Sequence, residues 1–228
     1  MSNDVLIRNL EVNDLSGVAA VHVAAFPGSA LTMLGTEAVR RYYEWQLVGP
    51  HESLSLGAFL GPEVVGFCVG GIFQGAMIGF LRKNRIFLTW RVLTHPWLMT
   101  NPIFRERLTF GTHILKISAK PKASAPLGKN QIIKSFGILS IGVHPKCQGL
   151  GVGKLLMKES EDVARQRGFR EMDLTVHTDN HQAVKFYESF DWKKISNNGV
   201  WSGGMKKSLE FRDSERAGDT KEGSILIL

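Results

Sequence analysis

A glycine-rich segment of the chain has the residue types that a phosphate-binding site needs. It runs from Ile141 to Lys154 and reads Ile-Gly-Val-His-Pro-Lys-Cys-Gln-Gly-Leu-Gly-Val-Gly-Lys. The pattern predicts a buried strand, a tight turn and the start of a helix. Gly149, Gly151 and Gly153 let successive backbone N–H groups point into one concavity, and the helix start adds unpaired N–H donors. We therefore predict a phosphate or pyrophosphate site, the alternative being a turn that serves packing alone.

Other classes of site fit the sequence less well. The segment is no dinucleotide fingerprint, because no acidic residue follows on a second strand at the right distance, and it lacks the Gly-Lys-Ser/Thr ending of a P-loop. The chain has 2 cysteines, Cys68 and Cys147, too few for a disulfide framework or a cysteine-rich zinc site. We expect no metal and a reducing, cytoplasmic location.

A second motif lies downstream on a predicted short helix. It reads Asn180-x-x-Ala183-x-x-Phe186-Tyr187-Glu188-x-Phe190-x-Trp192. The spacing of Ala183, Phe186, Tyr187 and Phe190 is typical of one apolar helix face. Tyr187 lies on this face, which makes it a candidate core residue beside Phe186 and Phe190.

The two motifs together resemble those of the GCN5-related N-acetyltransferase (GNAT) superfamily. Gln148-x-x-Gly151-x-Gly153 is similar to its acyl-CoA signature, and the second motif is similar to Asn-x-x-Ala-x-x-Phe-Tyr-x-x-x-Gly-Phe, with Asp191 where glycine is usual. The resemblance covers about residues 3–210 apart from an insertion. It implies an α/β (α+β) fold in which helices flank a central mixed, mostly antiparallel sheet, with acetyl-CoA as the acyl donor.

The resemblance also implies roles for individual residues. The strands that end at Val143 and near Val176 would splay apart and hold the pantetheine arm, with a strand bulge at Gly142. The Val143 N–H would polarise the thioester carbonyl, and Asn180 would contact the arm. The implied cofactor-binding residues are Ile141, Val143, Gln148, Gly149, Leu150, Gly151, Val152, Gly153, Lys154, Asn180 and Phe186.

Proton transfer needs an acid and a base. Tyr187 is the candidate acid for the departing thiolate. His144, His177 and His181 all lie near the predicted strand ends, and each is otherwise a surface or capping residue. We choose His177 as the base because it directly follows the splayed strand.

The connection between the first two predicted helices is the expected acceptor site. Its sequence, Phe-Pro-Gly-Ser-Ala-Leu-Thr-Met-Leu-Gly from Phe26 to Gly35, resembles a segment of acetyltransferases from surface-polysaccharide biosynthesis. That resemblance implies a small amine acceptor, such as a nucleotide-activated or lipid-linked amino sugar. The predicted substrate-binding residues are Phe26, Ser29, Leu31 and Thr32.

A basic insertion covers about residues 75–134. From Arg82 to Lys134 it holds eleven lysines and arginines and one acid, Glu106, in a chain of net charge +7. Its cations alternate with large apolar residues, which is typical of an interfacial helix on an anionic membrane. The same cations could instead face a diphosphate, or form a solvated face over the core.

The chain of 228 residues, 43% of them hydrophobic, suits one large domain with an insertion. We assign residues 1–211 to the acetyltransferase domain and expect 212–228 to be a disordered tail. Two alternatives remain open: a protein or peptide N-acetyltransferase, and a non-catalytic acyl-CoA-binding scaffold whose insertion binds a membrane or nucleic acid. The intact glycine segment and Tyr187 argue against a scaffold, and with no recognised RNA-binding motif we expect no nucleic-acid partner.

Overall fold

A seven-stranded sheet organises the computed structural model, which describes residues 5–73, 76–102, 104–105 and 135–209. The strands are β1 (Leu6–Asn9), β2 (Glu52–Leu60), β3 (Glu63–Ile72), β4 (Phe136–Val143), β5 (Glu171–Thr175), β6 (Lys193–Asn197) and β7 (Val200–Ser208). Their order is β1-β2-β3-β4-β5-β7-β6, and among these strands only β4 and β5 are parallel neighbours. The predicted mixed, mostly antiparallel sheet is confirmed.

Helices pack on both faces of the sheet. They are α1 (Leu15–Ala25), α2 (Ala30–Met33), α3 (Thr36–Val48), α4 (Ala76–Lys83), α5 (Arg85–Thr94), α6 (Val152–Gln166) and α7 (His181–Glu188). One apolar layer joins the sheet to α1, α3 and α4, and the other joins it to α6 and α7. Because helices cover both faces of the sheet, a ligand can reach the strand backbone at an unpaired strand edge.

The parallel strands β4 and β5 separate partway along their length. Their pairing runs from Phe136 opposite Met172 to Ile138 opposite Leu174 and stops there. β4 then continues to Val143 alongside β3. Val176, the residue after β5, bonds on the side away from β4, because its N–H donates to the Gly203 carbonyl of β7. The splay implied by the resemblance is present, and among the residues that the structure describes it leaves one edge of β4 without a paired strand.

The bulge in β4 lies at Leu139, and its predicted position at Gly142 was wrong. Val69 pairs with Ser140 and Gly70 with Ile138, so Leu139 is the extra residue. Gly142 is paired in register, and its lack of a side chain has another cause: an added Cβ would lie 2.9 Å from the Phe67 ring and 3.1 Å from the Phe26 ring.

The bulge also changes which side chains face each layer. Ile138 and Ile141 both pack in the layer of α6 and α7, which regular alternation would forbid. Ser140 instead contacts Tyr43 of α3. One extra residue therefore turns a polar side chain of β4 toward the helices that carry the acceptor connection.

The described part of the insertion forms α4, α5 and a 3-10 turn at Pro96–Thr100. Phe80 of α4 is buried against the core, while Ile86, Trp90 and Leu93 of α5 are 67% or more exposed. No helix among the described residues is long and apolar enough to span a membrane. Most of residues 103–134 and the predicted tail at 212–228 lie outside the described residues.

Candidate active site

The glycine segment forms a turn that leads straight into α6. Gly149 and Gly151 both have φ of +80°, in the left-handed region that favours glycine. An added Cβ at either position would meet nothing within 4 Å, so their backbone conformation, and not crowding, requires glycine. Gly151 is the N-cap of α6 and gives it no side-chain cap. The first N–H groups of α6 therefore stay available to an anion, next to the exposed Lys154.

Hydrogen bonds hold this turn against the end of β4. Nε2 of Gln148 donates to the Val143 carbonyl at 3.2 Å. Nδ1 of His144 accepts the Lys146 N–H at 3.3 Å and so caps the short 3-10 turn at Pro145–Cys147. The structure thus brings the predicted anion site directly to the open edge of β4.

The N–H groups of β4 alternate between its two edges. The His144 N–H donates to the Val65 carbonyl on the β3 side. Because successive residues of a strand point their N–H groups to opposite sides, those of Val143 and Ile141 point toward the gap left by β5. These are donors that an extended ligand or a polarised carbonyl can use.

Helix α7 packs against the start of α6. An added Cβ at Gly153 would lie 3.5 Å from the Phe186 ring, which is ordinary contact. The Oδ1 atom of Asn180 accepts the Ala183 N–H at 3.1 Å and caps α7. Asp191, at the position where the family motif has glycine, has φ of +63°, a conformation that Asp tolerates better than most residues.

Tyr187 follows Phe186 on α7 and is 8% exposed. Its ring packs against Phe186 and Trp192. Burial raises the pKa of the Tyr187 phenol above its ordinary value, so the group keeps its proton throughout the neutral range. The role of Tyr187 as the acid stays a prediction.

The three histidines considered from the sequence lie on the surface near the strand ends. The His177 side chain is 72% exposed, and its Nδ1 accepts the Asp179 N–H at 3.4 Å. His181 is exposed at the first position of α7. These contacts hold the loop after β5, and the role of His177 as the base stays a prediction.

Hydrogen bonds of its own hydroxyl groups stabilise the predicted acceptor connection. Ser29 caps α2, a short helix that the sequence analysis missed, by accepting the Thr32 N–H at 3.0 Å. The Thr32 hydroxyl donates to the Phe26 carbonyl at 2.8 Å. Leu31 packs on the layer of α1 and α3, and the Phe26 ring lies over Gly142 of β4. The connection therefore reaches the same strand as the anion site.

Two polar residues beside this connection escaped the sequence analysis. His22 of α1 and Tyr43 of α3 are both buried, with Nδ1 of His22 2.8 Å from the Tyr43 hydroxyl oxygen. The signal that could have found them is the placement of a histidine between Val18 and Phe26, on the apolar face of α1.

The insertion also reaches the acceptor connection. Nε of Arg91 on α5 donates to the Leu34 carbonyl at 2.8 Å. The guanidinium lies against Gly35, whose φ is +95°. The Arg91 guanidinium therefore lies at the C-terminal end of α2.

Comparison with known proteins agrees with this architecture. The model of the acetyltransferase (GNAT) family matches residues 130–192, which include the glycine segment and the Tyr187 motif. Mycothiol acetyltransferase of Renibacterium salmoninarum is 28% identical over 92 residues, which are 40% of this chain. The chain spans about a quarter of that relative's length, 25%.

Two solved structures illustrate the likeness of fold. The PaiA N-acetyltransferase of Thermoplasma acidophilum, solved with coenzyme A, aligns at a TM-score of 0.53 with 15% identity, covering 90% of this chain and 99% of that one. YncA of Salmonella typhimurium, solved with acetyl-CoA, aligns at 0.53 with 17% identity, covering 92% and 96%. The predicted GNAT fold is confirmed by these structural neighbours, and residues 130–192 match the model of the acetyltransferase (GNAT) family.

Proposed function

We propose that the protein is an acetyl-CoA-dependent N-acetyltransferase that acts on a small amine. The proposal rests on the position of the open β4 edge next to the glycine turn. The open edge of β4 beyond Ile138 runs directly into the turn whose left-handed glycines leave the start of α6 uncapped. An extended arm that ends in a pyrophosphate matches the two sets of donors in that order.

Each part of the site has its own role in binding acetyl-CoA and in acetyl transfer. The turn from Gln148 to Gly153 and Lys154 hold the pyrophosphate, with Phe186 supporting the turn. The β4 edge holds the arm, and the Val143 N–H stabilises negative charge on the thioester oxygen as the amine attacks. Tyr187 gives its proton to the departing thiolate, and His177, through water, takes the proton that the amine loses.

The acceptor is best described as an amino sugar that carries a diphosphate. The hydroxyl groups of Ser29 and Thr32 lie at the connection that faces β4, where a sugar can be held. Arg91 of the insertion donates to the Leu34 carbonyl of this connection, and its positive charge favours an anionic acceptor. The likeness of the Phe26–Gly35 segment to acetyltransferases of surface-polysaccharide biosynthesis supports the same acceptor class.

Calorimetry with acetyl-CoA, followed by an assay of free-thiol release, tests the function. We expect saturable binding of acetyl-CoA and faster thiol release with UDP-glucosamine than with free glucosamine or an alanyl peptide. The two sugars differ only in the nucleoside diphosphate, so their ratio reports the anionic part of the acceptor. A folded protein that gives no binding heat with acetyl-CoA would contradict the proposal.

We further propose that the outer face of α5 lies on an anionic membrane. Ile86, Trp90 and Leu93 follow helical spacing and are 78%, 67% and 70% exposed. The exposed Lys83 and Arg85 precede them and complement anionic headgroups. The inner face of the same helix carries Arg91, so the membrane would lie next to the acceptor connection.

Vesicle co-sedimentation tests this contact. The protein should bind vesicles that contain phosphatidylserine and not vesicles of phosphatidylcholine alone. Leu93→Ser should weaken binding at least about tenfold, because burial of a leucine contributes roughly 1.5–3 kcal/mol. Leu6→Ser, at a leucine of β1 that is 59% exposed, is the matched control. Equal binding by both variants, or dimers that Leu93→Ser dissociates, would overturn the membrane contact.

A further inference from the structure

A chain of side-chain hydrogen bonds crosses the layer between the sheet and helices α1 and α3. It begins at Ser140 of β4, whose Oγ accepts from the Tyr43 hydroxyl at 3.1 Å. The Tyr43 oxygen lies 2.8 Å from Nδ1 of His22, and Nε2 of His22 lies 3.2 Å from the Ser29 hydroxyl oxygen. The chain ends at Thr32, whose Oγ1 lies 2.9 Å from the Ser29 hydroxyl oxygen.

The positions of the protons follow from these partners. Since the Tyr43 hydroxyl donates to Ser140, its oxygen accepts from Nδ1–H of His22. The neutral imidazole then presents the lone pair of Nε2 to Ser29. Burial lowers the pKa of His22 to about 4, so the ring is neutral at neutral pH.

The surroundings of His22 keep it in this state. The rings of Phe26 and Phe67 and the phenol of Tyr43 face it. Tyr43 is the group among these that titrates, and burial raises its pKa well above the ordinary value. The network therefore keeps one set of donors and acceptors across the pH range in which an amine is acetylated.

Ser29 is the point at which this network meets the surface. His22 and Tyr43 are 7% and 2% exposed, whereas Ser29 is half-buried. The Ser29 oxygen accepts the Thr32 N–H, and its single hydrogen is donated to Nε2 of His22, because that nitrogen carries the lone pair of the neutral ring. One lone pair of this oxygen is left for an N–H donor that arrives at the acceptor connection.

We infer that His22 and Tyr43 are positioning residues that hold the Ser29 hydroxyl as an acceptor for an N–H of the incoming amine, with the network anchored on Ser140 of β4. This inference rests on the proposed N-acetyltransferase function. It adds a physical link between the acceptor connection and the strand that holds the acyl group. Packing alone would not require polar side chains in this apolar layer, and the inference gives His22 and Tyr43 a function there.

A double-mutant cycle with UDP-glucosamine as the acceptor tests the inference. Tyr43→Phe keeps the ring and removes the link between His22 and Ser140. It should raise the KM for UDP-glucosamine about tenfold, the fold-change that corresponds to one hydrogen bond, and leave the Kd for acetyl-CoA unchanged. Ser29→Ala should raise KM by at least as much. In the Ser29→Ala background, Tyr43→Phe should have no further effect on KM, because both changes act through one hydroxyl.

Two controls separate positioning from folding. Tyr42→Phe removes a neighbouring buried hydroxyl on the same helix and should leave both constants unchanged. The 15N spectrum of His22 should show a neutral ring protonated at Nδ1 from pH 6 to pH 8 in the wild type. A fully additive cycle in an enzyme that acetylates UDP-glucosamine, or a ring protonated at Nε2, would overturn the positioning role alone. Failure to bind acetyl-CoA would instead contradict the proposed function, and this inference with it.

Discussion

Replacing Gly151 with glutamate is expected to abolish acetyl-CoA binding in a protein that stays folded. The glutamate would put a negative charge at the N-cap of α6, where the pyrophosphate needs N–H donors. Loss of two charge-assisted hydrogen bonds, at roughly 1.5–3 kcal/mol each, weakens binding by at least about 100-fold. Calorimetry with acetyl-CoA measures this loss, and circular dichroism confirms that the variant is folded.

Gly168→Glu is the matched control for this change. Gly168 follows the other end of α6, has the same φ of +80°, and an added Cβ there would also meet nothing within 4 Å. Both variants therefore carry the same new charge and the same left-handed strain, about 1–2 kcal/mol. Gly168→Glu should bind acetyl-CoA as the wild type does. If Gly151→Glu bound acetyl-CoA equally well, the turn would not be the pyrophosphate site.

The parts of the site that are local in sequence could be predicted from the sequence. The turn at Gly149 and Gly151 needs positive φ, and that need shows in the residue types themselves. The strand predicted to end at Val143 ends at that residue in the structure, because an apolar run followed by turn signals defines it. The short helix α2 was missed because a helix of 4 residues is too short to show periodicity.

The parts that depend on distant partners could not be predicted. The bulge at Leu139 is set by the register of β4 against β3, and nothing in the local sequence distinguishes Leu139 from its neighbours. The hydrogen bond between Tyr43 and Ser140 joins residues 97 positions apart. The contacts of His22 with Tyr43 of α3 and with Ser29 of the acceptor connection depend on the same long-range packing.

Removing the Tyr187 hydroxyl is expected to slow acetyl transfer without weakening acetyl-CoA binding. In Tyr187→Phe the ring keeps its contacts with Phe186 and Trp192, so α7 stays in place. The departing thiolate loses its proton donor, and general acid catalysis typically contributes about 10²–10⁴-fold to a rate. We expect kcat for thiol release to fall at least about 100-fold while the calorimetric Kd for acetyl-CoA is retained.

Tyr42→Phe tests whether any buried phenol would give the same result. Tyr42 and Tyr187 are both 8% exposed, and burial raises the pKa of each, that of Tyr42 to about 12. Tyr42 belongs to the other apolar layer, so its hydroxyl cannot serve the thiolate. If Tyr187→Phe kept wild-type kcat, or if both variants lost activity equally, Tyr187 would be a packing residue and the proton would have to come from water. A loss confined to Tyr187→Phe identifies its hydroxyl as the acid, because the two substitutions remove the same atom from equally buried rings.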